Sequence, residues 1–558
     1  TISLGRLCPT SHTAPRRETP KAQSPRRLIP TATTLPAAAA MAEFQSLGSL
    51  GPICAVANEF LRNQTAQNEY EAEEQCDRLF HPTQYDMPVN RLSSAAAARF
   101  FALPPDDDVD RVSRLPDALL RDVVSRLPVK DAARTAALSR HWRGVWRSAP
   151  LVLADADLLP DTSAVSRVLE AHPGPFRCVH LTRTLAEGFH GLLTRWLQLL
   201  AAKGIQELVL VNARWPLDYF LPANLLSLTS LTRLYLGMWR FPDTAGLRRA
   251  TCFPNLRDLG LCHVLVERRD LDFILDRSPV LETLCVQGNV LKLRIRLVSQ
   301  SLRCVQIIGC FIEEIFVLDA PNLERFIYSD AWHPVGNCTT TVKIGHAPKL
   351  HLLGYLALDP RKHVLDVGNT IIKAGIGMSP STMLPGVKIL ALEVRFAVRN
   401  DVKMIPNVLR CFPNVETLHI MSGKTDQSTG KVNLKFWLES GTIECIESRI
   451  KLLVFHGFQG DRSELAFLKF FFESAFVLEE VVVLLAADPT DEMIRKVVFL
   501  KYMERASEAS ILSVGHSGPQ GFAQSARRGS DFSLGDPFAN YCRSDLYRMS
   551  SPHPLYLC

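Results

Sequence analysis

The sequence predicts an α/β chain in which a small helical unit is followed by a repeat solenoid with a parallel sheet. Two observations carry this. Between Val112 and Pro150, apolar residues crowd onto helical spacing. Beyond Pro150, a frame of the form apolar-x-x-apolar-x-apolar returns eleven times, from Ile205 to Val483. Composition agrees with a folded protein: of 558 residues, 47% are hydrophobic and 22% charged.

Residues 1–40 are rich in Pro, Ala, Thr and Arg, and Met41 follows four alanines. They read as a leader upstream of a start at Met41, the expected case, or as an Arg-rich organelle transit peptide. Residues 41–108 read as flexible, with a charged helical stretch at Ala66–Leu79 and a turn-rich acidic linker at Pro104-Pro105-Asp106-Asp107-Asp108. Two short helices are then expected. Leu119, Leu120, Val123, Val124 and Leu127 make one broad face of the first. Asp117 is expected to cap it and Pro128 to end it. Asp131 is expected to cap the second, on which Trp142 and Trp146 lie one turn apart. About forty residues bury little core, so part of this apolar surface must be covered by another molecule or by the rest of the chain.

The frame begins as Ile205-Gln-Glu-Leu208-Val-Leu210 and recurs with first anchors at Leu231, Leu256, Leu281, Leu302, Leu323, Leu350, Val387, Val415, Ile450 and Leu478. Each copy is a short strand whose alternate residues point inward. One strand and its return segment cannot bury an apolar face alone, whereas stacked neighbours share a core. Pro-Asn often precedes the frame, as at Pro254-Asn255, Pro321-Asn322 and Pro413-Asn414.

Outward positions are polar or mixed in early copies (Glu207, Arg233, Tyr235, Asp258, Thr283, Gln306, Arg325) and apolar in late ones (Leu352, Ile389, Ala391, Leu452, Val454). An apolar free face needs a cover: a target, or the chain's own C-terminal part, which is the expected case. Arg214-Trp215 and Met238-Trp239-Arg240-Phe241 follow early strands. Trp and Arg there suit target recognition, though aromatics wedged between repeats fit equally and are the expected case. Arg214, Trp215, Arg233, Tyr235, Trp239 and Arg240 are the candidate target-binding residues. Near the C-terminus, Phe467, Leu468, Phe471, Phe472 and Ala475 fall on one helical face.

The formal net charge is +6, and the first 40 residues hold six Lys/Arg against one acidic residue. Without them the chain is nearly neutral, so no nucleic-acid footprint is expected. The 14 cysteines are scattered without Cys-x-x-Cys spacing, which predicts buried thiols, no metal and no cofactor. No membrane span is expected, because the best run, Leu465–Ala487, is broken by Lys469, Glu473, Glu479 and Glu480. Gly423-Lys424-Thr425 is not a phosphate loop, since Leu418 stands where the earlier glycine is required. Gly375-Ile-Gly377 lacks its third glycine, and no hydrolase motif appears. No enzyme activity is expected. His419, on the outward face of a strand, is the one histidine singled out.

Leu115-Pro116-Asp117, Leu119-Leu120, Ser125-Arg126-Leu127-Pro128, Ala133-Arg-Thr135 and Leu138-Ser139-Arg140 with Trp142 and Trp146 resemble the F-box of plant F-box proteins with leucine-rich repeats. Val123-Val124 and His141 depart mildly from the usual pattern. Ile450–Phe458, Phe467–Phe476 and Leu478–Leu484 are similar to the FBD domain that often ends such proteins, and the later Asp531–Phe538 resembles the end of such proteins. The resemblance implies a helical F-box over 109–155, irregular leucine-rich repeats over 156–435, an FBD extension over 436–510 and a tail over 511–558. It implies that Leu115, Pro116, Leu119, Leu120, Val124, Leu127, Pro128, Leu138 and Trp142 dock on a Skp adaptor and, through it, a cullin. The repeats would hold an unknown target protein, in the nucleus or cytoplasm. Other readings are a repeat scaffold outside any ligase and a small-molecule sensor.

Overall fold

A computed structural model describes residues 112–548 apart from 159–162, 184–189, 213–219, 246–251, 330–338, 360–362, 368–369, 372–382, 424, 426–427, 487–489, 517–528, 540 and 542–545. All of them belong to one compact unit. The expectations for 1–108 and for Gly375 and Gly377 lie outside the described residues.

The N-terminal unit has three helices rather than two: α1 (Asp117–Arg126), α2 (Val129–Thr135) and α3 (Arg140–Ser148). The expected second helix is split, because Ser139 accepts a hydrogen bond from the Trp142 N–H at 3.2 Å and starts a new one. The expected caps are displaced by one to three residues. Pro116 and Pro128 hold the N-cap positions with φ of −55° and −51°, a value their rings fix in advance. Asp117 and Asp131 instead lie in the first turns, where their charge suits the positive end of the helix. They pair with His141 at 3.4 Å and Arg134 at 2.7 Å. Pro128 ends α1 as expected, with Leu127 extended.

The principal sheet has 15 strands among the described residues. They are β1 (Leu151–Ala154), β2 (Phe176–Leu181), β3 (Glu207–Val211), β4 (Arg233–Gly237), β5 (Asp258–Cys262) and β6 (Thr283–Gln287). There follow β8 (Cys304–Ile308), β10 (Arg325–Ser329), β12 (Leu352–Ala357), β15 (Ile389–Val394) and β16 (Thr417–Ser422). The series ends with β17 (Leu452–Phe458), β18 (Glu480–Leu485), β19 (Ile511–His516) and the short β20 (Tyr547–Arg548). The missing numbers, β7 (Leu293–Val298), β9 (Ile312–Asp319), β11 (Thr340–His346), β13 (His363–Val367) and β14 (Thr370–Ile371), form a second sheet of five. Strands of the principal sheet pair in chain order and in parallel up to β19, which β20 meets antiparallel.

All eleven frames are strands of this sheet, side by side from β3 to β18. They share one register. The carbonyl of the residue after each first anchor accepts the next two N–H groups of the following copy: Gln206 from Thr232 and Arg233, Thr232 from Arg257 and Asp258, Arg257 from Glu282 and Thr283. The same doubled bond runs on through Glu324, His351, Lys388, Glu416 and Lys451. The Pro-Asn signal has its cause here. Asn255, Asn322 and Asn414 donate their side-chain amides to Thr229, Gln300 and Pro385 carbonyls of the preceding repeat, at 3.1, 2.7 and 3.0 Å.

Return segments change type along the chain. Early ones are helical, with α4 (Ser163–Ala171), α5 (His190–Ala202) and α6 (Arg268–Asp276). In the middle they become the second sheet, because the apolar period shortens to two: Leu293, Ile295 and Leu297 are buried while Arg294, Arg296 and Val298 are exposed. Late ones are helical again: α7 (Arg399–Arg410), α8 (Leu434–Glu439), α9 (Glu444–Ser448), α10 (Arg462–Ser474) and α11 (Asp491–Lys501). On α10 the expected face of Phe467, Leu468, Phe471, Phe472 and Ala475 is buried. One hydrophobic core runs from Leu120 to Val514 between the sheet and its return segments.

Described cysteines are unbridged and mostly buried. Burial pushes Cys285, Cys304 and Cys310 up to about 12. Among the described residues no cluster of His, Cys, Asp and Glu could hold a metal, and no helix is long and apolar enough to cross a membrane.

Candidate docking surfaces

The helical unit is seated on the sheet it precedes. α1 and α2 pack on β1, and Arg177 of β2 donates to the Ser125 carbonyl at 3.3 Å. His172 lies edge-on to Trp146 with ring centres 5.1 Å apart and reaches the Ala149 carbonyl at 3.1 Å. Trp142 turns inward and donates Nε1–H to Ser113 Oγ at 2.7 Å. What stays outside is apolar and basic. Pro116 and Pro128 are exposed, Leu138 is 67% exposed, and Val112 and Val123 are exposed too. The segment 112–148 carries eight Lys/Arg against three Asp and no Glu.

The free face of the sheet, opposite the return segments, has two halves. Over β3 to β5 it carries an ionic clasp: Arg233 reaches Glu207 at 3.2 Å and Asp258 at 2.9 Å. Burial acts to lower the Arg233 pKa, and the two carboxylates more than offset it. Tyr235 lies across β5, where a Cβ on Gly260 would come within 2.4 Å of its ring.

From β8 onward the face is covered by a strap, described over residues 529–539, 541 and 546–548, that crosses the strands in order. Arg325 donates to the carbonyls of Gly529 and Asp531, each at 2.9 Å, and of Leu534 at 2.6 Å. Phe532 stacks on the guanidinium groups of Arg303 and Arg325, at 4.1 and 4.6 Å. Phe538, 0% exposed, sits among Ile308, Ile327, Leu352, Tyr355 and Ala391, with its ring centre 4.7 Å from that of Tyr355. Asp536 meets His419 Nε2 at 2.9 Å, and His419 Nδ1 meets His456 Nε2 at 3.1 Å. Burial first, then His419, draws His456 down to about 3 and keeps it neutral. Tyr541 and Leu546 pack on Val454, Val482 and Leu484. Finally β20 pairs with β19.

Comparison with known proteins matches the same segments. The F-box domain model covers residues 112–153, the FBD model 439–483, and the repeat model described as "FBD-associated F-box protein At5g56370, LRR repeats" 193–420. The chain is a plant-type F-box protein with leucine-rich repeats and an FBD domain. Similar proteins of Arabidopsis thaliana include F-box/LRR-repeat protein At3g26922, 28% identical over 43% of this chain and 80% of its own length. The putative FBD-associated F-box protein At5g22720 is 24% identical over 73% of this chain and 94% of its own. F-box/FBD/LRR-repeat protein At1g13570 is 23% identical over 72% of this chain and 98% of its own. The FBD match falls on α8 to β18, so the FBD strands continue the repeat sheet.

Within the F-box, the nine residues singled out from sequence divide by burial. Leu120, Val124 and Trp142 are sealed in the chain's own core, two of them at 0% exposure. In the chain by itself these three side chains already pack inside its own core. Leu115, Leu119 and Leu127 are half-buried, and Pro116, Pro128 and Leu138 stand outside.

The repeat residues divide likewise. Arg214 and Trp215 lie outside the described residues. Trp239 is buried between repeats and donates Nε1–H to the Leu210 carbonyl at 3.2 Å. Arg240 is half-buried and lies 4.4 Å over the Phe220 ring. Arg233 is held in its clasp, and Tyr235 is half-buried. The expected self-burial of the late repeats is what the strap provides. It reaches further than expected, covering Gln306 and Arg325. Residues 511–558, expected as a tail, supply β19, the strap and β20. His419 sits under that strap.

Proposed function

We propose that this chain is the substrate-recognition adaptor of a Skp–cullin–F-box ubiquitin ligase, with the F-box docking on the Skp adaptor and the repeats presenting a target protein. The observation that carries this is an F-box segment, rich in Lys and Arg, whose apolar side chains the described residues leave exposed or half-exposed. Pro116, Leu119, Leu127, Pro128 and Leu138 supply its apolar part. A groove with an acidic rim would complement it, burying aliphatic anchors at the centre and gaining charge complementarity at the edge. Lodging the target beside a ubiquitin-charged enzyme makes proximity the source of rate. The F-box, repeat and FBD relatives support an adaptor role, and such a role needs no catalytic side chain here. The chain would act in the nucleus or cytoplasm, where its partners are.

The test is co-purification of the full chain with the Skp adaptor and cullin, compared with Pro116→Ala/Leu138→Ala. Both side chains lie outside the core, so the double variant keeps its fold. We expect both partners with the wild type and neither with the variant. Skp adaptor without cullin would indicate a scaffold outside the ligase. Equal recovery by the variant would refute the assigned surface.

A further inference from the structure

The strap is a well-defined occupant of an interaction site. Its central part, 529–539, crosses the strands and is not paired into the sheet; only Tyr547 and Arg548 join a ladder. Arg325 reads three main-chain carbonyls, a feature any peptide can offer. The side-chain requirements are few: an aromatic ring on Arg303 and Arg325, a carboxylate at His419, and an aromatic ring in the Tyr355 pocket.

The strap also fits its site imperfectly. Gln306 is fully buried and Arg325 nearly so, yet Gln306 Oε1 and Arg325 Nε have no hydrogen-bond partner among the described residues. Gly529 sits so close that a Cβ would lie 2.8 Å from Gln306 Oε1 and 2.4 Å from Ile327. Buried polar atoms without partners oppose the burial that strands them. A segment with a donor and an acceptor at that place would satisfy both atoms and compete with the strap.

We propose that the face over β8 to β16 is a peptide-binding site, held at rest by residues 529–538, and that a target protein enters it by displacing them. The target segment has the form aromatic-x-x-x-acidic-x-aromatic, as in Phe532-Ser-Leu-Gly-Asp536-Pro-Phe538. Chemical complementarity favours this class: Arg325 donates to main-chain carbonyls, Arg303, itself paired with Glu324 at 2.7 Å, stacks on an aromatic ring, and His419 Nε2 faces a carboxylate beside an apolar floor. The inference stands on this face alone and holds whether or not the F-box recruits a ligase.

The test uses full-length chain and a fluorescent peptide of residues 529–541, read by anisotropy. Its readout contains no ligase component. Wild type binds weakly because its own strap competes; Asp536→Asn/Phe538→Ala frees the site and binds at least about tenfold tighter. Adding Arg325→Gln to the freed chain loses about tenfold again, and an unlabelled peptide carrying Phe538→Ala does not compete. Circular dichroism and size exclusion establish that each variant is a folded monomer. A folded double variant that binds no tighter than wild type overturns the proposal. If the double variant does not fold, Asp536→Asn alone decides: tighter binding than wild type upholds the proposal, and equal binding overturns it by making the strap part of the core. A wild-type dimer that the peptide dissolves would assign the site to the strap of a second copy and overturn it too.

Discussion

Glu464 gives the fold a pH dependence that one substitution should remove. It is fully buried at the third position of α10. Its Oε2 accepts the N–H groups of Asp461 at 2.8 Å and Gln459 at 3.1 Å, and its Oε1 accepts the Ser422 hydroxyl at 2.5 Å. Burial outweighs these donors and raises its pKa from 4.5 to about 7. A carboxyl whose folded pKa lies above its unfolded value keeps a proton that the unfolded chain gives up. Its contribution is therefore fully present below the unfolded value and is lost as pH rises through about 7. Over pH 5 to 8 the loss is about 2 to 3 kcal/mol. Glu464→Gln retains an oxygen for the two N–H groups and offers its amide to Ser422, whose hydroxyl can rotate to accept. Buried His172, His263 and His456, all held below their usual pKa, make stability change in the opposite sense over part of this range. The measured quantity is thus the difference between wild type and Glu464→Gln in urea unfolding at each pH. We expect that difference to fall by about 2 to 3 kcal/mol from pH 5 to 8. A flat difference would refute the reasoning.

Five more outcomes are expected. Leu120→Ala should cost about 2 to 5 kcal/mol in denaturant unfolding, since it opens a fully enclosed space. Leu138→Ala, at a surface position, should cost under about 0.5 kcal/mol while still weakening adaptor binding in the same preparation. Gly288→Ala should cost about 2 kcal/mol, because φ is +66° there and the new Cβ would lie 2.3 Å from His263 Nδ1. Gly144→Ala, mid-helix in α3 with nothing within 4 Å of the new Cβ, should gain about 0.5 to 1 kcal/mol by thermal melting. Asn322→Ala should cost about 1 kcal/mol in urea unfolding through its lost bond to Gln300, and Asn322→Asp should not restore it, having no amide to donate.

What the sequence makes legible is what repeats. Eleven copies of one frame outweigh the noise of any single strand, and their alternation places anchors such as Leu234 and Leu236 in the core and Arg233 and Tyr235 outside. Phe176-Arg-Cys-Val179-His-Leu181 also obeys the frame but stands alone before the series. β1 and β19 have weaker anchors, and they show themselves only through pairing with β2 and β18. At the F-box the apolar period gave the helical face without saying which residues the chain itself would cover. Leu120 and Leu119 are neighbours on one face, and only the position of β1 separates them. Capping was misread for a local reason: a proline already fixed at the right φ takes the N-cap position ahead of the aspartate. The strap left a single trace, the apolar outward residues at Leu352 and Ala391 that required a cover. Nothing in Gly529–Phe538 itself announces where it binds.

The distances along the chain set an order of events. Bonds between neighbouring repeats join residues 22 to 29 apart, so the ladder can zip from one copy to the next. The bonds of Gly529 and Asp536 to the sheet join residues 117 to 225 apart, and loops of that length close after local pairing has formed. During synthesis the repeat array therefore emerges with its apolar late face bare, and Gly529–Phe538 cover it only once they follow. A message or chain cut short before Gly529 would yield a folded solenoid with that face still open, a surface of the kind chaperones and proteases seize. The strap thus makes it readable from the surface whether synthesis has passed Phe538.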